Sequence, residues 1–101
     1  MIIAIDFDNT FTADPEAWRE VILMMQAKGH KFVCVTGRSD DEMGDQVRKA
    51  IDGLIPIVFA GSRWKREAAK RSGWDVDVWI DDMPEMVGQQ NLIGLPKNKQ
   101  N

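Results

Sequence analysis

The chain predicts an α/β fold, a three-layer α/β/α sandwich built on a mainly parallel, five-stranded Rossmann-like sheet. Three observations carry that expectation. Apolar, β-rich stretches at 2–5, 31–36, 54–59, 76–80 and 91–95 show little polar alternation, as strands buried on both faces do. Stretches with helical spacing and recognisable starts and stops lie between successive strands, which implies parallel βαβ units. Three of the strands end in chemistry-bearing residues, Asp6/Asp8/Thr10, Thr36/Gly37/Arg38 and Asp81/Asp82, at the edge where open α/β sheets bind ligands.

The first strand, Ile2-Ile3-Ala4-Ile5, runs straight into Asp6-Phe7-Asp8-Asn9-Thr10. A period of two lets the Asp6 and Asp8 carboxylates face one pocket, and a bound cation is the usual remedy for their repulsion. A plain acidic turn, with Asp and Asn capping backbone, is the alternative for this stretch taken alone. Asp14 then caps a helix with Pro15 at its first position and Glu16 in its first turn. Trp18, Val21, Ile22 and Met25, with Leu23 and Met24 nearby, give that helix a broad apolar face, and Lys28-Gly29 stops it. His30 has no partner at ligand spacing and receives no role.

The second strand, 31–36, ends in Thr36-Gly37-Arg38. Ser39 and Glu42 have capping-box spacing, so Ser39 is expected to cap a second helix whose buried side carries Met43, Val47, Ala50 and Ile51. Asp40 and Asp41 fit that helix's dipole rather than catalysis. Pro56 assigns the third strand to a sheet edge, because it cannot donate to a ladder. Ser62 opens a basic helix through Arg71, with Trp64, Ala68 and Ala69 expected on its buried side. The fourth strand, 76–80, leads into Asp81-Asp82-Met83-Pro84-Glu85, with Pro84 starting a short helix. A fifth strand is expected at 91–95, followed by a polar tail at 96–101.

The composition fits one domain, 1–95, plus that tail: 101 residues, 44% hydrophobic, with a net charge of −3. The mild acidity argues against a generic nucleic-acid-coating protein but leaves room for a local basic patch. The single cysteine, Cys34, excludes an intrachain disulfide and reads as a core hydrophobe. The first apolar run is too short for a signal sequence or a membrane span, so a cytoplasmic protein is expected.

Carboxylates from the first and fourth strands make a hard oxygen site suited to Mg²⁺, and Thr36 and Lys65 add a neutral donor and a cation for phosphoryl oxygens. With these motifs in order (Asp6-Phe7-Asp8-Asn9-Thr10, Val35-Thr36-Gly37-Arg38, Lys65 and Ile80-Asp81-Asp82), the chain resembles the haloacid-dehalogenase superfamily of phosphatases and phosphotransferases. The resemblance spans Asp6 to Asp82. It implies that Asp6 is the nucleophile, Asp8 the general acid and base, and Thr36 and Lys65 the stabilisers of the transferring phosphoryl group. It further implies that Asn9, Thr10, Gly37 and Arg38 contact the substrate. Mg²⁺ would be held by Asp6, the Asp8 carbonyl and Asp82, with Asp81 supporting from behind; Asp81 and Asp82 are not separable by position alone. Lys70 is the rival to Lys65, which is preferred because it lies in the first turn of its helix, nearer the strand ends.

The Thr-Gly-Arg and Asp-Asp segments look most like the phosphatase domains of polynucleotide kinase-phosphatases, although the additional arginine and aspartate of those domains have no counterpart here. Short connections after the first and third strands leave no room for a cap domain. An open site suits a phosphate on a large substrate such as a nucleic-acid end, with Arg38 and the Arg63/Lys65/Arg66 cluster available to steer a polyanion. Other readings are a small-metabolite or nucleotide phosphatase whose site is completed by oligomerisation, and a phospho-ligand binding module without turnover. Oligomeric state is left open. A receiver domain shares the acidic pocket, but there the acidic pair follows the first strand and the acceptor Asp the third.

Overall fold

The computed structural model describes residues 1–88. The strands are β1 (Ile2–Ile5), β2 (Lys31–Thr36), β3 (Ile57–Phe59) and β4 (Val78–Ile80), and the helices are α1 (Pro15–Ala27), α2 (Glu42–Ile51) and α3 (Lys65–Arg71). The four strands form one sheet in the order β3-β2-β1-β4, and every pairing is parallel. The topology is Rossmann-like. The fifth strand expected at 91–95 and the tail lie outside the described residues.

Alternation along the strands decides the layers. Ile3 and Ile5 of β1 join Phe32 and Cys34 of β2 in a core with Ile22 of α1 and Val47 and Ile51 of α2. Ala4, Val33 and Val35 turn the other way and pack with Ala68 and Ala69 of α3. Both faces of β1 and β2 are therefore covered, which is why their sequences are nearly continuously apolar. Pro56 precedes β3, an edge strand, and its carbonyl still accepts from Cys34 N at 2.8 Å. Register brings Ile5 beside both Cys34 and Ile80, so β1 and β4 end level with each other. The ladder runs one residue further, with Asp6 N donating to Ile80 O at 2.9 Å.

Asp14 caps α1, its carboxylate accepting from Ala17 N at 3.1 Å, and Gly29 takes a positive φ of 92° at the stop. Leu23 and Met24, however, point to solvent, because only the stripe through Trp18, Val21, Ile22 and Met25 reaches the sheet. Helix α2 starts later than the capping-box spacing implies. Its cap is Asp41, which accepts from Met43 N at 2.9 Å, and not Ser39; Asp40 pairs with Arg48. The segment before the cap instead folds back on the helix, where Gly44 is the only residue type that fits: a Cβ there would stand 2.9 Å from both the Ser39 carbonyl and the Phe59 ring. Helix α3 is also shorter than expected. Trp64 occupies its N-cap position in extended backbone, with no side-chain cap, and is exposed, while Lys65 beside it is buried.

Between β1 and α1 stands only a single 3-10 turn, Phe11–Ala13, and β3 reaches α3 through residues 60–64; no domain is inserted at either place. No helix among the described residues is long and apolar enough to cross a membrane.

Candidate functional site

A cavity of about 370 Å³ opens at the carboxyl ends of β1, β2 and β4, lined by Asp6, Asp8, Asn9, Gly37, Arg38, Lys65, Asp81 and Asp82 among others. Its floor is a buried charge network. Lys65, 5% exposed, reaches up from the first turn of α3 and donates to Asp6 Oδ1 at 2.6 Å and to Asp81 Oδ2 at 2.7 Å. Two carboxylates around one ammonium are what let a lysine sit at this depth. Lys70 lines a separate cavity with Arg66, Trp74 and Trp79.

Thr10 knits the two strand ends together. Its hydroxyl lies 3.3 Å from Asp6 Oδ2 and 3.1 Å from Asp82 Oδ1, and it accepts from Asp82 N at 3.3 Å. One hydroxyl has one proton, so it donates to a single carboxylate at a time. Asn9 holds the turn in left-handed backbone, φ 62°, with its N–H donating to Thr12 Oγ1.

Burial pushes the Asp6 carboxyl up to about 6, against the opposing pull of Lys65 and with the help of Asp82 and Asp81. Asp82 moves the other way, below the ordinary carboxylate range, through its hydrogen bond with Asp6 and through Thr10. For Lys65, burial favours the neutral amine, but the bonds to Asp6 and Asp81 outweigh it and hold the ammonium above its usual value. The site thus carries more negative charge than Lys65 neutralises.

That surplus defines a candidate cation site. Asp6, Asp81 and Asp82 each offer an oxygen, all within 4.8 Å of one another, and a hard all-oxygen donor set fits Mg²⁺. Asp81 belongs to this cluster spatially. Both its oxygens are nevertheless engaged, one by Lys65 and the other by Met83 N at 2.9 Å, which makes Asp82 the more available ligand of the two.

Asp8 does not join the acidic cluster with its carboxylate. Arg38 grips it with two bonds, Nε to Oδ2 at 3.0 Å and a terminal nitrogen to Oδ1 at 2.7 Å, and its other terminal nitrogen donates to Met43 O and Gln46 Oε1, both at 2.8 Å. The guanidinium also lies over the Phe7 ring, 5.3 Å from its centre. Thr36 is fully buried and is not on the cavity wall; its hydroxyl accepts from Arg38 N at 3.2 Å, which shapes the Gly37-Arg38 turn from beneath. Of the expected basic rim cluster, Lys65 is on the floor. Arg63 pairs with Glu67, and Arg66 donates to Gly88 O and stacks over Trp79.

Sequence reasoning missed Met43, Met83 and Met86 as wall residues. Met43 shares helical spacing with Val47 and Ile51, which made it look like core. No recurring local pattern marks the other two.

The chain is thus a parallel α/β sheet with a carboxylate–lysine network joining the ends of β1 and β4. No family model, no curated protein and no solved structure matches the chain.

Proposed function

We propose that this chain is a Mg²⁺-dependent phosphomonoesterase that works through an aspartyl-phosphate, as its resemblance to the haloacid-dehalogenase superfamily implies. The observation that carries the reading is the convergence of Asp6, Lys65, Asp81 and Asp82 at the neighbouring ends of β1 and β4, with Asp8 and Arg38 on the same cavity. Asp6 is the carboxylate that would attack phosphorus in line with the ester oxygen, forming an acyl phosphate as the P–O bond to the alcohol breaks. Asp8 would supply the proton the departing oxygen takes, and then accept one from the water that hydrolyses the acyl phosphate to inorganic phosphate. Lys65 keeps Asp6 oriented and offsets phosphoryl charge from the buried floor of the cavity. Mg²⁺ held by Asp6, Asp82 and the Asp8 carbonyl would neutralise the charge of the phosphoryl oxygens.

One feature favours a second reading, a module that grips a phosphoryl group without turning it over. Both Asp8 oxygens are engaged by Arg38, so proton transfer requires the incoming phosphate to draw the guanidinium away. The test is phosphate release from an aryl phosphate with Mg²⁺. The expected result is steady release by the wild type and at least about a thousandfold less by Asp6→Asn, since a neutral amide is a poor nucleophile. Undiminished release by Asp6→Asn excludes Asp6 as nucleophile, and phosphate binding with no release by the wild type selects the binding module.

A further inference from the structure

We propose that the ester taken by this site carries its phosphate on an apolar, preferably aromatic, group seated between Met43 on one side and Met83 and Met86 on the other. The inference rests on the phosphoryl site at Asp6 and deepens it by naming the substrate class.

Topology places the three methionines. Met43 follows β2, and Met83 and Met86 follow β4, while β1 with Asp6 runs between those two strands. A phosphate on the floor therefore points its organic group into a gap with thioethers on both flanks. All three line the cavity yet remain 61%, 50% and 45% exposed. Single exposed apolar residues need no explanation, but a cluster bordering one polar site marks a surface that is covered in use. Thioethers are polarisable and flexible, and they make favourable contacts with aromatic ring edges.

Charge argues against the polyanion the sequence suggested. The two cations that line the cavity are both engaged by carboxylates, Lys65 by Asp6 and Asp81 and Arg38 by Asp8. With Asp82 the walls hold four carboxylates against those two cations. A divalent ion brings them only to neutrality. That suffices for one phosphate on the floor and leaves no surplus positive field to draw a chain of further phosphates.

The experiment compares ligands that share a non-hydrolysable head group and differ in what it carries, by calorimetry in Mg²⁺: methylphosphonate, 2-naphthylmethylphosphonate and a dinucleotide whose 3′ end carries a methylenephosphonate in place of the phosphate ester. The naphthyl compound is expected to bind at least about tenfold tighter than methylphosphonate, and the dinucleotide no tighter than methylphosphonate. Met43→Gln/Met86→Gln should remove most of the naphthyl advantage, and each single variant part of it, with thermal melts verifying the fold. Equal affinities, an advantage that survives in the folded variants, a dinucleotide that binds tightest, or no binding at all overturns the proposal. Hydrolysis of the corresponding naphthylmethyl phosphate is measured separately. The expected ranking without turnover leaves the substrate class standing and removes the phosphatase reading; turnover without the ranking does the reverse.

Discussion

Asp6 is both the strand's last connection to the sheet and a buried carboxylate held beside two others and one ammonium. Its carboxyl titrates near 6 in the fold against about 4 in an unfolded chain. Between those values the folded state holds a proton the unfolded state has lost, so stability from this group is greatest below pH 4 and declines as pH rises to about 6, then levels off. Above that pH the ion-free protein carries an ionised, buried Asp6 at a cost on the order of 2 kcal/mol. Asp6→Asn should therefore raise the melting temperature of the Mg²⁺-free protein at pH 8 and have little effect at pH 4. Lys65 keeps Asp81 as a partner in that variant, so the ammonium is not orphaned. Melts of both proteins at the two pH values check this, and a destabilised Asp6→Asn at pH 8 would mean that the Lys65 bond outweighs the burial.

Helix α2 is the element that builds the wall opposite β4, and its first turn serves both stability and site. Asp41→Ala removes the acceptor for Met43 N and should cost about 1 kcal/mol, read from denaturant unfolding. Gly44→Ala is a harsher change. The new methyl would meet the Ser39 carbonyl, which is backbone and cannot rotate aside, and the Phe59 ring, so a loss of roughly 1–3 kcal/mol is expected. Because Ser39 and Met43 line the cavity, the same variant should weaken phosphate affinity measurably, whereas Asp41→Ala should weaken it less. Equal affinities in the two variants would show that the 37–41 segment moves independently of α2.

At the scale of the whole molecule, the acidic cluster spans the seam between β1 and β4, and β4 is a strand of only three residues. An ion held by Asp6 and Asp82 would tie the ends of the two strands together and bind only the folded chain. Mg²⁺ should consequently raise the melting temperature by mass action, by an amount that grows with concentration. Lowering the pH to 5 should shrink the gain, because the ion then has to displace a proton from Asp6. Asp82→Ala should abolish most of the response at pH 7. A Mg²⁺ response of the same size in wild type and Asp82→Ala would take Asp82 off the ligand list and leave Asp81 in its place.

What the sequence by itself determined is what neighbours in the chain can enforce. The apolar run from Lys31 to Thr36 forms a strand with those bounds, Asp14-Pro15 starts α1, Gly29 ends it, and Pro56 keeps β3 at an edge; each follows from backbone sterics, capping or the period of burial. The position of Asp6 at a strand end was legible for the same reason. Tertiary structure alone decided the pairings across the chain. Lys65 is buried and Trp64 exposed because two carboxylates, 59 and 16 residues away in sequence, converge where Lys65 reaches; a helical pattern read locally favours the opposite. Asp8 faces Arg38 across 30 residues and not the acidic cluster its spacing from Asp6 suggested. Met43 keeps the spacing of a core residue but lies at the helix start, beside the cavity, where no layer of the described residues covers it. Periodicity reports which face of an element a residue occupies. What stands opposite that face is settled only when the strands take their order, and the partners that neutralise a buried charge are brought together in the same event.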